Sequence, residues 1–324
     1  MKDSNDRLLQ VENLKKYFPL RSGVFSRTHG YVRAVDGVSF DIGRRRTLGL
    51  VGESGCGKTT LARALVRLWE PTSGEVVFDG VSIRDLNTRE MRRIRRNMQI
   101  IFQDPFSSLN PRMTVGAIVG EPLAIHRVAK RRERLDIVRG LLEKVGLSGG
   151  HVNSYPHEFS GGQRQRICIA RAIALRPKLI VCDEPVSALD VSVQSQILNL
   201  LRDLQDDYGL SYLFISHDLR VVEHMSDEIA VMYLGRIVEM AGGDAISENP
   251  LHPYTRALFS AVPVPDPSSR RKVIVLGGDV PSPISPPPGC HFHPRCPEKM
   301  GVCEQKYPPL KDAGGGHEVA CFLY

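Results

Sequence analysis

Residues 44–69 read RRRTLGLVGESGCGKTTLARALVRLW, and their order decides the fold. Thr47–Val51 has strand character. Gly52-Glu-Ser-Gly-Cys-Gly-Lys58-Thr59 is a glycine-rich turn that fits GxxxxGK[ST]. Past it, apolar residues recur at helical spacing, which predicts an amphipathic helix beginning near Lys58. Strand, glycine loop and helix in that order let backbone N–H groups close on phosphate oxygens without a Cβ in the way. The helix start presents about half a positive charge to the same anion. Gly52, Ser54, Gly55, Gly57, Lys58, Thr59 and Thr60 are therefore candidate phosphate-site residues. Lys58 has the reach for the β- and γ-phosphates of a nucleotide, Thr59 is the expected Mg²⁺ ligand, and Thr60 would support the α-phosphate.

Downstream, the apolar run LIVC (179–182) ends in Asp183-Glu184. Carboxylates at the C-terminal end of a buried strand face the crevice where α/β proteins bind ligands. Asp183 suits Mg²⁺ and Glu184 suits polarising an attacking water. Upstream of that strand, Ser160-Gly161-Gly162-Gln163 opens a helix and makes a second anion-competent helix start.

Buried strands alternating with helices predict an α/β domain with a mostly parallel core sheet. Strands are expected at 8–18 (an edge strand), 32–42, 74–80, 98–103, 179–182 and 211–216, with a loop at 21–31. Helices are expected at 131–145, with Leu135, Val138, Leu142 and Val145 on its buried face, at 163–175 and at 192–207. After about Pro263 the composition turns proline-rich up to Gly289, which predicts a non-helical connector followed by a small cysteine-rich piece.

Of 324 residues, 42% are hydrophobic and 24% charged, ordinary for a globular chain. No run approaches the roughly 18 apolar residues a membrane span needs, and the N-terminus lacks a signal-peptide core. The net charge of +7 is concentrated at Arg44–Arg46, Arg89–Arg96 and Lys130–Arg134. No aromatics interleave with these runs to stack on bases, so they read as solvated faces and nucleic acid is not an expected partner.

Taken together, the motifs resemble those of ABC transporter ATP-binding subunits over nearly the whole chain. Gln103 in IIFQDP matches the family's Q-loop, Ser187-Ala-Leu-Asp190 its D-loop, and His217 after SYLFIS its switch histidine. Phe18, two residues after Lys16, matches the adenine-stacking aromatic, with Tyr17 as the alternative. Phe159 stands where a leucine is commoner before the signature serine. The resemblance implies a P-loop nucleotide-binding domain with a mixed core sheet, an antiparallel β-subdomain and a helical subdomain at about 104–176. The cassette would occupy 1–262, and 263–324 the connector and a C-terminal extension. Glu184, His217 and Gln103 would be catalytic. Thr59, Gln103 and Asp183 would hold Mg²⁺. Ser160, Gly161, Gly162, Gln163 and Asp190 would contact nucleotide, with Ser160 and Gly162 serving the partner's ATP across a head-to-tail dimer.

The stretches at 18–40, 103–115, 158–167 and 252–263 narrow the resemblance to oligopeptide/dipeptide importers, and the long loop at 19–31 to the second of their two ATPase subunits. Implied partners are a second homologous ATPase subunit in a heterodimer, two transmembrane permease subunits and an extracytoplasmic solute-binding protein. The implied location is the cytoplasmic face of the membrane, and residues 103–112 would receive the permease's coupling helix.

Cys290, Cys296, Cys303 and Cys321 crowd the C-terminal end. No tight CxxC pair is present, which disfavours a zinc ribbon. Four cysteines are the ligand set of a 4Fe–4S cluster, the leading expectation, with zinc or four unliganded thiols as alternatives. His291, His293 and His317 read as solvent-facing or outer-shell groups.

Overall fold

The computed structural model describes residues 6–22, 27–262 and 273–324. Its elements are β1 (Arg7–Ser22), β2 (Arg27–Gly43), β3 (Thr47–Val51), α1 (Lys58–Leu65), β4 (Ser73–Phe78), β5 (Val81–Ser82), α2 (Thr88–Arg95), β6 (Met98–Ile101), α3 (Pro105–Ser108), α4 (Val115–Ile125), α5 (Arg131–Lys144), α6 (Gly161–Ile173), β7 (Leu179–Asp183), α7 (Val191–Tyr208), β8 (Ser211–Ile215), α8 (Leu219–Met225), β9 (Glu228–Tyr233), β10 (Arg236–Gly242), α9 (Gly243–Glu248), α10 (Pro253–Ser260), α11 (Gly301–Gln305), β11 (Lys311–Asp312) and β12 (Glu318–Val319). The chain divides into two compact units. One comprises Leu9–Asp41, Thr47–Arg84 and Ile215–Tyr324, and the other Met1–Leu8, Ile42–Arg46 and Asp85–Phe214.

The first unit holds the phosphate-loop segment. Its strands run side by side as β11-β12-β10-β9-β3, with β3 and β9 parallel and β10 antiparallel to both neighbours. Leu48, Leu50, Val51 and Ile229–Met232 are almost fully buried, as strands covered on both faces require. The same unit contains the antiparallel sheet β2-β1-β4-β5, in which Leu9 pairs with Phe78 and Val11 with Val76. The expected edge strand at 8–18 is thus an interior strand, flanked by β2 and β4. Strand also covers much of the expected loop at 21–31, since β1 runs to Ser22 and β2 begins at Arg27. Residues 23–26 of that loop lie outside the described residues.

The second unit holds the strands β8, β7 and β6, with β6 and β7 parallel. Leu179–Cys182 and Tyr212–Phe214 are buried on both faces. Helices α4, α5 and α6 pack on one another in the expected helical subdomain. On α5 the buried stripe starts at Val138 and continues through Leu141, Leu142 and Val145, whereas Leu135 is 38% exposed. Three of the four expected positions are buried, and the stripe loses its first member, Leu135, and gains Leu141 on the adjoining i+3 position. The basic run at 89–96 falls on α2, where Met91 is the buried residue and Arg92 donates to the Ile125 carbonyl at 2.9 Å.

The cysteine-rich end is not a distinct module. It builds onto the first unit's sheet: Glu239 pairs with Val319, Met240 with Glu318, and Ala320 N–H donates to the Val238 carbonyl at 2.8 Å. The buried Glu239 carboxylate accepts the N–H groups of Leu251 and His252 at 2.7 and 2.8 Å and meets the His317 ring at 2.7 Å. A buried carboxylate with three partners escapes the cost of an unsatisfied charge. Residues 263–272 of the expected connector lie outside the described residues, and 273–289 form neither helix nor strand.

Candidate functional site

The phosphate loop connects β3 to α1 as expected, and α1 begins at Lys58. Gly52 and Gly57 both have positive φ, at 151° and 111°. A Cβ on Gly52 would overlap the Met232 carbonyl oxygen, and one on Gly57 the Ala34 carbonyl oxygen. The loop is therefore pressed against the neighbouring backbone, and side chains are excluded where it turns. Ser54 and Gly55 are exposed at its tip. The Lys58 ammonium is buried within the loop, donating to the carbonyls of Gly52 at 2.6 Å and Glu53 at 3.0 Å. Helix α1 has no capping side chain and no acid in its first turn. A helix start of this kind, with its dipole, suits an anion. Thr59 and Thr60 are half-buried in that first turn.

His217 follows β8 and is exposed in the same unit. It shares an open cleft of about 510 Å³ with Gly52, Glu53, Ser54 and Asp218. The structure thus brings the switch-histidine candidate to the phosphate loop. Asp218 caps α8 by accepting the Arg220 N–H at 3.0 Å.

The aromatic candidates differ in their attachments. Phe18 meets the Trp69 ring edge-on at 5.1 Å, with the Lys16 ammonium 4.9 Å from its centroid. The Tyr17 hydroxyl donates to Asp36, and burial together with that carboxylate pushes its pKa up to about 12. Asp36 is in turn paired with Arg236 at 2.7 Å. Burial opposes ionisation of the Asp36 carboxyl, but the Tyr17 and Arg236 hydrogen bonds outweigh it and hold the carboxyl below its usual range. Tyr17 is committed to this network, which leaves Phe18 as the aromatic without a polar anchor.

Asp183 and Glu184 lie in the second unit. Asp183 is buried at the end of β7. Glu184, next in the chain, has φ of 50°, a left-handed conformation for a residue with a side chain. Such backbone strain concentrates at functional sites. The Gln103 amide donates to the Glu184 carboxylate at 2.8 Å, so the Q-loop and strand-end candidates, 81 residues apart in sequence, are in contact. Ser187 N–H and Oγ both donate to the Glu184 carbonyl, tightening the turn toward Asp190, the exposed N-cap of α7. Asp104 caps α3 through the N–H groups of Phe106 and Ser107.

Ser160 is the exposed N-cap of α6, and a capping box forms: its hydroxyl accepts the Gln163 N–H at 3.3 Å and Gln163 Oε1 accepts the Ser160 N–H at 3.0 Å. Gly161 lies near Leu189, and a Cβ on Gly162 would strike Val193. The signature is therefore packed against the start of α7, which requires glycine at 162.

The iron–sulfur expectation, and zinc with it, is overturned. Among the described residues, no group of three or more His, Cys, Asp or Glu side chains is arranged to hold a metal ion. Cys290, Cys296, Cys303 and Cys321 are free thiols lining one cavity of about 10 Å³, space for a single water and far too little for a cluster. Burial pushes the Cys290 thiol up to about 11 and raises Cys296 and Cys321. His291 is not solvent-facing: it is buried against the Tyr307 ring at 5.2 Å. His317 is held by Glu239, and His293 lies 2.9 Å from the Cys290 carbonyl.

Residues 35–187 match the family model "ABC transporter", and residues 238–303 match "Oligopeptide/dipeptide transporter, C-terminal region". The chain is 52% identical to the oligopeptide transport ATP-binding protein AppF of Bacillus subtilis, covering 99% of this chain and 98% of that one. It is 51% identical to the dipeptide transport ATP-binding protein DppF of Escherichia coli, covering 97% and 94%. Among solved structures, the dimeric ATP-binding cassette MJ0796, in a post-hydrolysis state bound to ADP and Pi, matches with a TM-score of 0.65 at 28% identity over 72% of this chain and 98% of that one. The chain belongs to the ATP-binding subunits of ABC transporters, in the oligopeptide/dipeptide importer group.

Proposed function

We infer that the chain binds and hydrolyses ATP to energise import of di- or oligopeptides through a membrane permease. The observation that carries the ATP reading is the phosphate cradle: a loop closed to side chains at Gly52 and Gly57, a buried Lys58 ammonium and an uncapped helix start. The peptide reading is supported by the names of relatives that match along nearly their full length.

In this reading the loop N–H groups and Lys58 hold the β- and γ-phosphates, with Gly55 and Ser54 at the tip. Thr60 supports the α-phosphate, and Phe18 stacks on the adenine. Thr59, Asp183 and Gln103 offer oxygen donors, the kind a hard cation such as Mg²⁺ takes. When bound, that ion would offset phosphate charge. Glu184 takes the proton of the attacking water, held in place by Gln103. His217 contacts the γ-phosphate from the cleft it shares with Gly52. Ser160, Gly161, Gly162, Gln163 and Asp190 serve the ATP of a second, homologous ATPase subunit. Two permease subunits and an extracytoplasmic solute-binding protein complete the assembly, at the cytoplasmic face of the membrane. No helix among the described residues is long and apolar enough to cross a membrane. Residues 103–112 face the permease, with Phe106 63% exposed and the Arg164 guanidinium over its ring at 3.9 Å.

The test is uptake of labelled di- and oligopeptides by the reconstituted transporter. ATP-dependent peptide uptake that disappears with Lys58→Ala is the expected result. Robust ATP hydrolysis that no peptide stimulates, with no peptide accumulated, would overturn the cargo assignment.

A further inference from the structure

The phosphate loop contains one acid, Glu53. A carboxylate inside a loop that must bind a polyanion raises the local negative potential and works against binding. Here Glu53 is gripped at both ends by the C-terminal third of the chain. Its N–H donates to the Tyr254 hydroxyl at 2.9 Å. Its carboxylate accepts two N–H bonds from the Arg295 guanidinium, at 2.8 and 3.1 Å. The Arg295 side chain is only 8% exposed, and that of Glu53 26%. The guanidinium lies 6.0 Å from the Tyr233 ring centroid. Tyr233, Tyr254 and Phe292 pack on one another with centroids 4.7, 5.3 and 5.5 Å apart. The aromatic cluster that seats Tyr254 against the loop backbone therefore also seats the turn carrying Arg295. All of these residues belong to the unit that holds the phosphate loop.

We propose that Arg295 is a positioning residue for nucleotide binding: it cancels the charge of Glu53 and fixes the loop, so that the C-terminal segment completes the phosphate cradle. This rests on the reading that the loop takes ATP. A planar guanidinium is suited to the task, because its fork matches a carboxylate bidentately and does not lose its proton. Removing it leaves a poorly solvated carboxylate beside the phosphates, the costly way to break such a pair. Removing both charges takes away the repulsion along with the pair.

The experiment titrates the full chain, with Mg²⁺, using a methylanthraniloyl-ATP probe, and records a melting curve for each variant. Arg295→Met should weaken binding roughly tenfold or more, the effect of one uncompensated charge nearby. Arg295→Lys should fall between, and the double variant Glu53→Gln/Arg295→Met should return to within about threefold of the parent. A purely structural brace would give a double variant as weak as Arg295→Met, and that result overturns the proposal. So does parental affinity in Arg295→Met. If Arg295→Met does not fold, the comparison of Arg295→Lys with the charge-neutral double variant decides in the same way. Lys58→Ala is the reference: if it binds the probe as tightly as the parent, the ATP reading itself has failed. If it loses binding while Arg295→Met keeps it, only the role of Arg295 has.

Discussion

At the end of β7, Glu184 combines a left-handed backbone with a hydrogen bond from the Gln103 amide. A glutamine there keeps the size and a carbonyl acceptor for Gln103 but has no basic carboxylate. Glu184→Gln should therefore bind ATP with parental affinity while single-turnover hydrolysis slows by about 10²–10⁴-fold, the usual worth of a general base. Parallel binding and quench-flow measurements check this. An equal loss of binding would move Glu184 from chemistry to nucleotide affinity. At Gly57 the constraint is steric. Gly57→Ala places a Cβ on the Ala34 carbonyl in a backbone conformation that L residues rarely adopt. It should abolish probe binding without unfolding the chain, as circular dichroism beside the titration would show.

Helix starts separate structural capping from ligand binding. Helix α2 has a complete capping box: Asn87 Oδ1 accepts the N–H groups of Arg89 and Glu90, and Glu90 accepts the Asn87 N–H. Asn87→Ala should cost about 1 kcal/mol of stability and leave nucleotide binding unchanged, measured by denaturant unfolding and probe titration. Helix α6 has the same device in Ser160 and Gln163. Helix α1 has none, its N-cap being Gly57, and the contrast is chemical: a capping side chain there would compete with the phosphate for the same N–H groups. The element level also shows why short strands are hard to read. β12 is two residues long and has no periodicity of its own, and only its pairing with β10 and β11 makes it a strand.

Across the whole molecule, burial of histidine sets a pH limit. His252 is fully buried, its Nδ1 accepting the Tyr254 N–H at 3.1 Å. Burial drives its pKa from 6.5 to about 3, and that of His291 to about 4. In both, the unfolded chain binds the proton more readily than the folded one. Stability is therefore complete above pH 6.5 and is lost as pH falls toward the folded values, by about 1.4 kcal/mol per pH unit for each histidine. Urea unfolding at pH 7 and pH 5 should show this loss, reduced in His252→Asn, which keeps an acceptor but cannot charge. An equal loss in the variant would place the sensitivity elsewhere.

The phosphate loop, the Asp-Glu strand end and the signature were legible in the sequence because each is a local device. Strand, glycine turn and helix start lie within a few residues, and glycine or a capping side chain is required by local backbone geometry. The interior place of β1, the Glu184–Gln103 contact and the bond between Glu53 and Arg295, 242 residues apart, were not, because no local propensity encodes a partner brought in by the fold. The terminal cysteines show the converse. Their number suggests a ligand set, but the fold leaves them as free thiols around a cavity too small for one, and spacing carries no information about volume. Sequence alone determined that this chain makes a phosphate cradle. Tertiary packing decided that its C-terminal end closes on that cradle, since only folding sets a guanidinium against the loop's one carboxylate.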